Sequence, residues 1–165
     1  MKVYVVRADY GRYTDSFYNN GYTGIGWFYD KLDSYDKESI VKTYGELYPD
    51  DPKMRAAVNI GQINRFINEM EIGDILIGPY SDHNLIIGEV KGDIYYKKDH
   101  SSPYCIRRAV EWYMDKYNRK DFSIPFQNTI RSSQTVFKVS QINEVLVAIG
   151  RKKADEKQLS KGSQF

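Results

Sequence analysis

The middle of the chain carries a run of short strand-like segments, and this run constrains the fold more than any other feature. Each segment is rich in β-branched and aromatic residues, and Gly, Ser, Asp and Asn stand between them. In order they are DILIGPY, NLIIGEVKG, IYYKK and YCIRRAVEWY, between residues 74 and 113. Together with a few helices, so many short strands favour a small, strongly bent barrel of mixed strand order over a parallel α/β sheet.

The flanking regions complete a single α+β domain over residues 1–150, followed by a polar tail or linker over residues 151–165. KVYVVRA predicts the first strand, the Gly- and Asn-rich stretch 9–24 predicts a loop, and IGWF predicts the second strand. TVFKV predicts the last strand. Helical spacing and capping residues predict four helices, over 36–48, 55–70, 124–131 and from Ser140 to before Gly150.

Composition narrows the chemistry that the chain can perform. The single Cys105 excludes an internal disulfide framework, and no apolar run suits a signal peptide or a membrane span, so we expect a cytoplasmic protein. No phosphate-binding Gly-Lys-Ser/Thr loop, serine elbow or zinc-spaced cluster occurs, so we expect neither a metal nor a cofactor. The net charge is only +2, which makes any basic surface a local one.

The spacing of three charged residues matches a motif of nucleases. Asp74, followed by Glu89 and Lys91, resembles the Asp…Glu-x-Lys arrangement of Mg²⁺-dependent nucleases, where two carboxylates hold the ion and the lysine positions a water. The competing interpretation is structural, because Asp74 follows Gly73 in a helix-to-strand turn and Glu-x-Lys pairs are common on exposed strands. The structural interpretation is the stronger, and the small nuclease is kept as an alternative.

Aromatic and basic residues form a second constellation. The chain holds 15 tyrosines and is 15% aromatic, more than a core of this size needs. The rings that are candidates to enclose a base are Tyr22, Trp27, Tyr80, Tyr96 and Trp112. Candidates for its polar edge are Ser81 and Asn84, and candidates for phosphates are Lys97, Lys98, Arg107 and Arg131. The alternative is that both tryptophans are core residues and that the two lysines end a solvated strand.

The order of segments also resembles a known family. VVRADYGRYTDSFYNNGYTGIGWF, AVNIGQINRFINEMEIGDILIGP, IIGEVKGDIYY, IRRAVEW and TVFKV, from Val3 to about Val147, are similar to the N-terminal domain of Mrr- and McrB-type restriction proteins. That domain is similar to the EVE and YTH branch of the PUA-like superfamily. The resemblance implies a PUA-like bent β-barrel with peripheral helices and an aromatic cage for a flipped, modified base. It places Trp27 in the cage and makes Trp112, Tyr80 or Tyr96 the residue that closes it.

These observations favour a non-catalytic module that recognises a modified, typically methylated, base in double-stranded DNA. By the same resemblance, it serves a modification-dependent restriction system, and cleavage belongs to a separate nuclease domain. Two alternatives remain at this stage: the small Mg²⁺-dependent nuclease, and an RNA-binding PUA-like accessory domain.

Overall fold

A computed structural model describes residues 1–153 and shows a mixed α+β fold, as the sequence predicts. The strands are β1 (Val3–Val6), β2 (Tyr22–Ile25), β3 (Ile75–Pro79), β4 (Asn84–Tyr96), β5 (Ile106–Trp112), β6 (Tyr117–Asn118) and β7 (Val136–Lys138). The α-helices are α1 (Thr14–Asn20), α2 (Lys37–Leu47), α3 (Lys53–Asn64), α4 (Ile124–Thr129) and α5 (Ile142–Ala148). A π-helical turn, Arg65–Glu69, extends α3, and a 3₁₀ turn, Arg119–Asp121, follows β6. In residues 1–153 no helix combines the length and apolarity that crossing a bilayer requires.

All seven strands belong to one sheet, in the order β2-β5-β4-β3-β1-β7, with β6 paired to β4. Among the strand pairs within residues 1–153, only β1–β3 is parallel. The central strand β4 pairs with β5 through a register shift between Val90 and Ile94. Such an irregularity bends a strand and increases its twist. The sheet is therefore mixed, as expected, and it is open, since its path ends at β2 on one side and at β7 on the other.

Alternation along β1 divides the core in two. Tyr4 and Val6 face a cluster that also takes Phe17 from α1 and Ile40 from α2. Val3 and Val5 face the other side of the sheet. The second cluster includes residues from β3, β4, α4 and α5, among them Ile77, Ile87, Phe126 and Val145. Helices thus cover both faces of the sheet.

The structure differs from the sequence predictions in three elements. The predicted loop 9–24 contains α1. The residue at its N-cap position, Tyr13, makes no side-chain capping bond. IGWF is not a strand, since β2 ends at Ile25 and Trp27 lies beyond it. NLIIGEVKG and IYYKK form one continuous strand, β4, because the bulge bends the strand without ending it. The C-terminal end of α1 carries a local signal, Gly21 in a left-handed conformation, but no capping side chain marks the start of the helix. The sequence pattern therefore did not predict it.

The last helix also begins differently from expectation. Ser140 was predicted to cap it, but Gln141 occupies the cap position and makes no side-chain capping bond. The chain past Gly150 remains attached to the domain, because the Arg151 amide donates to the Leu146 carbonyl. The predicted tail over 151–165 falls outside the described residues from 154 onward.

Candidate functional site

The chain leaves β2 at Gly26 and turns over Trp27, Phe28 and Tyr29. Phe28 is fully buried, has a φ of 61°, and packs edge-on against Tyr44 with the ring centroids 6.5 Å apart. A left-handed conformation is unusual for a bulky residue and costs free energy that the surrounding packing must offset. Trp27 is half-buried against the first core cluster, and Tyr29 is exposed. Phe28 thus anchors a strained turn that places two aromatic rings at the surface.

Tyr104, just before β5, packs on the backbone of this region. A Cβ on Gly24 would lie 3.0 Å from Tyr104 Cβ, and a Cβ on Gly26 would lie 3.7 Å from its ring atom Cε1. Tyr13 meets the Tyr104 ring edge-to-face at 5.3 Å. Burial and the negative charge of Asp9 raise the pKa of Tyr104. Its hydroxyl therefore keeps its proton at neutral pH.

The end of β4 joins the same surface. The Tyr96 hydroxyl donates to the Tyr29 carbonyl at 2.9 Å. Lys98 Nζ lies 5.1 Å from the centre of the Tyr29 ring and 3.8 Å from an Asp30 carboxylate oxygen. Rings and a cation therefore adjoin one another, as in sites where proteins stack bases beside phosphates. We call Tyr13, Trp27, Tyr29 and Tyr96 the aromatic surface, and Tyr104, which is 6% exposed, supports it from below.

Two predicted site residues lie beneath this surface. Tyr22 is 1% exposed and Arg107 is 3% exposed, with the guanidinium 3.9 Å from the centre of the Tyr22 ring. Arg107 Nε donates to the Tyr104 carbonyl at 2.7 Å, and Nη2 donates to Asp99 at 3.1 Å. Hydrogen bonds from Ser101 and from Arg107 lower the pKa of Asp99 to about 2. Arg107 therefore fixes the loop that carries Tyr104, from a position that solvent hardly reaches.

Trp112 lies apart from Trp27. Its indole N–H donates to the carbonyl of Tyr22, the first residue of β2, whereas Trp27 follows the last one. A Cβ on Gly88 would lie 2.8 Å from Trp112 Cε3, so the glycine makes room for the ring. The structure thus places the two tryptophans at opposite ends of β2 and packs Trp112 against the sheet.

Tyr80, Ser81 and Asn84 form the turn between β3 and β4. The Tyr80 hydroxyl donates to Asp15, and Lys116 Nζ lies 4.3 Å from the centre of its ring. Ser81 Oγ accepts from the Asn84 amide at 3.1 Å and so closes the turn. The Tyr80 carbonyl blocks any side chain at Gly11, where a Cβ would lie 2.5 Å away. This turn therefore borders the loop that carries Asp9 and Tyr13, next to the aromatic surface.

The residues of the nuclease-like pattern, Asp74, Glu89 and Lys91, are paired with other groups of the folded chain. The Asp74 carboxylate accepts from the backbone amides of Lys2 at 2.9 Å and Glu71 at 2.8 Å. Glu89 pairs with Lys91 and Arg151. Among residues 1–153, no three His, Cys, Asp or Glu side chains are grouped to hold a metal ion. Asp74 acts as the cap of a turn, and no observation here favours the nuclease.

Four residues of the site were absent from the sequence prediction: Tyr29, in the turn after β2, and the group of Asp9, Tyr13 and Tyr104. The contacts of this group join the loop after β1 to the loop before β5, which lie 91 residues apart or more, so no local pattern marks them. One signal was available. Gly24 and Gly26, two residues apart at the end of a strand, mark a place where a ring packs on the backbone. Of the predicted phosphate ligands, Lys97, Lys98 and Arg131 are exposed.

Comparison with known proteins gives one family. A profile described as a domain of unknown function, DUF8426, matches residues 2–140. No curated protein matches. Among solved structures, the chain is similar to the YTH domain of the Zygosaccharomyces rouxii MRB1 protein, solved in complex with N6-methyladenosine RNA. The two are 14% identical, the match covers 94% of this chain and 87% of that chain, and the TM-score is 0.47. Because the profile spans nearly all of the folded region described above, the chain belongs to the DUF8426 family.

Proposed function

We propose that this domain binds nucleic acid and recognises a modified base at the aromatic surface. The observation that carries the proposal is the strained turn at Phe28, which holds the half-buried Trp27 two residues before Tyr29, where Tyr96 and Lys98 make their contacts. Stacking of a base on an aromatic side chain is worth about 1–3 kcal/mol, and a nearby cation adds attraction for the phosphate. These groups are what a base drawn out of its strand needs.

In the proposed complex, Trp27 stacks on the base, and Ser81 and Asn84, in the turn that borders the loop of Tyr13, contact its polar edge. Lys98, with Lys97, lies where it can neutralise a flanking phosphate. Arg107 acts as a positioning residue for the Tyr104 loop.

Recognition of a methyl group follows from the apolar character of the rings. A methyl group on the base gains contact with the rings, and a group of that size is worth about 1–3 kcal/mol. We propose methylated double-stranded DNA as the ligand, bound by a PUA-like barrel that serves as the specificity module of a modification-dependent restriction system. Cleavage would belong to a separate nuclease domain. The module itself performs no chemistry in this proposal.

The test is equilibrium binding of short duplexes that carry N6-methyladenine, 5-methylcytosine, 5-hydroxymethylcytosine or no modification. Single-stranded RNA with and without N6-methyladenosine is titrated alongside. Trp27→Ala should lose the preference for the modified base and about tenfold in affinity, because it removes one stacking partner. Tyr95→Ala is the matched control, since Tyr95 is exposed and points to the opposite face of β4 from Tyr96.

Each outcome assigns the ligand or rejects it. A preference for one modified duplex that is lost in Trp27→Ala and kept in Tyr95→Ala supports the proposal and identifies the base. A preference for methylated RNA over every duplex would replace DNA by RNA as the ligand. Equal binding of all ligands by the wild type and by Trp27→Ala would reject modified-base recognition.

A further inference from the structure

Three tyrosines that solvent can reach each carry a cation near the face of the ring. Measured from the cation to the ring centre, the pairs are Lys98 with Tyr29 at 5.1 Å, Arg12 with Tyr13 at 5.5 Å, and Lys116 with Tyr80 at 4.3 Å. In the other cation–ring pairs within residues 1–153 the ring is buried. Proteins that bind nucleic-acid strands combine rings for bases with cations for phosphates. Only Lys98 of these three cations has a role in the proposed function.

A series of contacts connects the Arg12–Tyr13 pair to Trp27. The Tyr13 ring meets the Tyr104 ring edge-to-face at 5.3 Å. The Tyr104 ring in turn packs beside Gly26, where an added Cβ would lie 3.7 Å from Cε1. Gly26 is the residue before Trp27. The cation on Tyr13 is therefore joined by direct packing to the turn that carries Trp27.

The Lys116–Tyr80 pair borders the loop that carries Arg12. The Tyr80 carbonyl oxygen would lie 2.5 Å from a Cβ on Gly11, the residue before Arg12. The Tyr80 hydroxyl donates to Asp15, in the first turn of α1. The ring that carries Lys116 is thus held between the loop after β1 and the start of α1.

These elements lie on one face of the sheet. Phe17 of α1 belongs to the first core cluster, and Tyr13 and Trp27 pack against the same cluster. The second core cluster, with α4 and α5, lies on the other face. One nucleic-acid strand can therefore contact the turn of Trp27, the loop after β1 and the β3–β4 turn without crossing the sheet.

The loop that carries Arg12 has a strained backbone. Asp9, Tyr10 and Gly11 have φ values of 50°, 55° and 86°, so three consecutive residues are left-handed. The Arg12 amide donates to the Asp9 carbonyl at 3.0 Å and closes this turn. Glycine tolerates the conformation, but the two residues with side chains are strained in it, and such strain concentrates at binding sites. The fold thus holds Arg12 at a defined place on the surface at a cost in free energy.

Both new cations are available to a phosphate. Arg12 lies 3.9 Å from Asp9, and the two side chains are 74% and 46% exposed. Exposed ion pairs contribute little stability, so a phosphate can replace the carboxylate at little cost. In the part of the chain that the structure describes, no carboxylate lies within 4.0 Å of Lys116 Nζ.

We propose that Arg12 and Lys116 bind backbone phosphates of the nucleic-acid strand whose base stacks on Trp27. The proposal rests on the proposed function for its ligand. It extends the phosphate contacts from Lys98 to the loop after β1 and to the loop between β5 and β6. Phosphate contacts position a strand but carry no sequence information, so the choice of modified base stays with the aromatic surface.

The experiment measures affinity for the modified and unmodified duplexes over a range of salt concentrations. Arg12→Gln and Lys116→Gln should each weaken binding of all duplexes by the same factor and reduce the slope of log affinity against log salt by about one. The double variant should reduce the slope by about two. Arg55→Gln on α3 and Lys138→Gln on β7 remove the same charges at exposed positions outside this series of contacts, and they should change neither quantity.

The slope and the preference for a modified base are separate readouts. Unchanged slopes in both variants, with a preference that Trp27→Ala abolishes, would overturn this proposal and leave the proposed function standing. Equal loss of slope in the two control variants would show general attraction to the protein's charge and would also overturn it. Reduced slopes in Arg12→Gln and Lys116→Gln alone, with equal binding of every modification, would support the phosphate contacts and reject modified-base recognition.

Discussion

Arg108 is a charged side chain that stabilises the end of a helix from inside the protein. It is 3% exposed, and it donates to the carbonyls of Phe66 at 3.0 Å and of Ile67 and Met70 at 2.9 Å. These carbonyls belong to the last turn of a helix, where no backbone donor reaches them. Burial lowers the pKa of Arg108 from its very high ordinary value, yet a guanidinium remains charged in proteins. A single residue of β5 thus satisfies the end of the π-helical turn.

Replacement of Arg108 should destabilise the fold strongly. We expect Arg108→Met to lower the free energy of unfolding by about 3 kcal/mol, because it fills similar space but leaves several buried carbonyls without a donor. Urea denaturation followed by circular dichroism measures the change. Arg55→Met, at an exposed position on α3, should change stability by less than about 0.5 kcal/mol. Equal effects of the two substitutions would contradict the assigned role of Arg108.

Arg107 and Arg108 also show what the sequence cannot predict, namely which charged side chains are buried. The sequence made Arg107, which precedes Arg108 in β5, a candidate to bind phosphate at the surface. Both are buried, because each meets acceptors that come from elsewhere in the chain: Asp99 for Arg107, and Phe66 for Arg108. Such partners are fixed by tertiary structure and leave no mark on the local sequence.

Among the elements, β2 shows how glycine spacing shapes the candidate site. The strand itself is four residues long and fully buried, and Tyr104 lies over its end. At Gly24 an added Cβ would be 3.0 Å from Tyr104 Cβ and 3.1 Å from the Ile106 carbonyl oxygen. At Gly26 the nearest atom would be 3.7 Å away, an ordinary contact. A larger residue would therefore be crowded at Gly24 and would have room at Gly26.

This difference gives a matched pair of substitutions. Gly24→Ala should destabilise the fold by about 1–3 kcal/mol and displace Tyr104, because the overlap can be relieved only by moving backbone or ring. Gly26→Ala should fold with nearly unchanged stability. Thermal denaturation measures the first effect, and the near-ultraviolet circular dichroism of the tyrosines measures the second. Equal stability of the two variants would show that Tyr104 does not pack on β2 as described.

Elements were predictable where their apolar residues repeat and their ends are marked. The helix around Ile40 and Tyr44 has both a periodic face and a capping Asp36, and it appears as α2. The helix α1 lacks a marked start, and its single buried ring, Phe17, gives no period. The candidate site is formed mainly by loops, which local patterns predict poorly. The sequence singled out Trp27, Tyr96 and Lys98, but only folding brings Tyr104 into contact with Tyr13.

For the whole molecule, three carboxylates link stability to pH. Hydrogen bonds from Ser34 and Ser39 lower the pKa of Asp36, and Lys91 and Arg151 lower that of Glu89. Ser101 and Arg107 lower the pKa of Asp99 to about 2. Each group is ionised more readily in the folded state than in the unfolded chain, where such pKa values lie near 4. Their stabilising effect is therefore complete above about pH 5 and is lost as the pH falls through the folded-state values.

We expect the free energy of unfolding to decline between about pH 4 and pH 2, and Asp99→Asn to flatten the lower part of that decline. Denaturation with urea at intervals of half a pH unit measures the curve. Asp50→Asn, at an exposed turn position, is the control and should leave its shape unchanged. A wild-type curve that is flat down to pH 2 would contradict the linkage.

The architecture as a whole was more predictable than its surface. Strand succession between residues 74 and 113 correctly indicated a mixed sheet with helices, because hydrophobic alternation is a local property. The pairing of β1 with β3 and β7 was not foreseen, since the paired residues lie 72 residues apart at Val3–Ile75 and 132 apart at Val5–Phe137.

The position of β1 also affects how the protein is made. During synthesis VYVV emerges before both of its neighbours in the sheet: Ile75 of β3 follows Val3 by 72 residues, and Phe137 of β7 follows Val5 by 132 residues. Contacts of such long range form slowly, because the intervening chain must first be ordered. The apolar side chains of β1 therefore lack one of their two neighbouring strands until β7 has left the exit tunnel, and they stay exposed during that time.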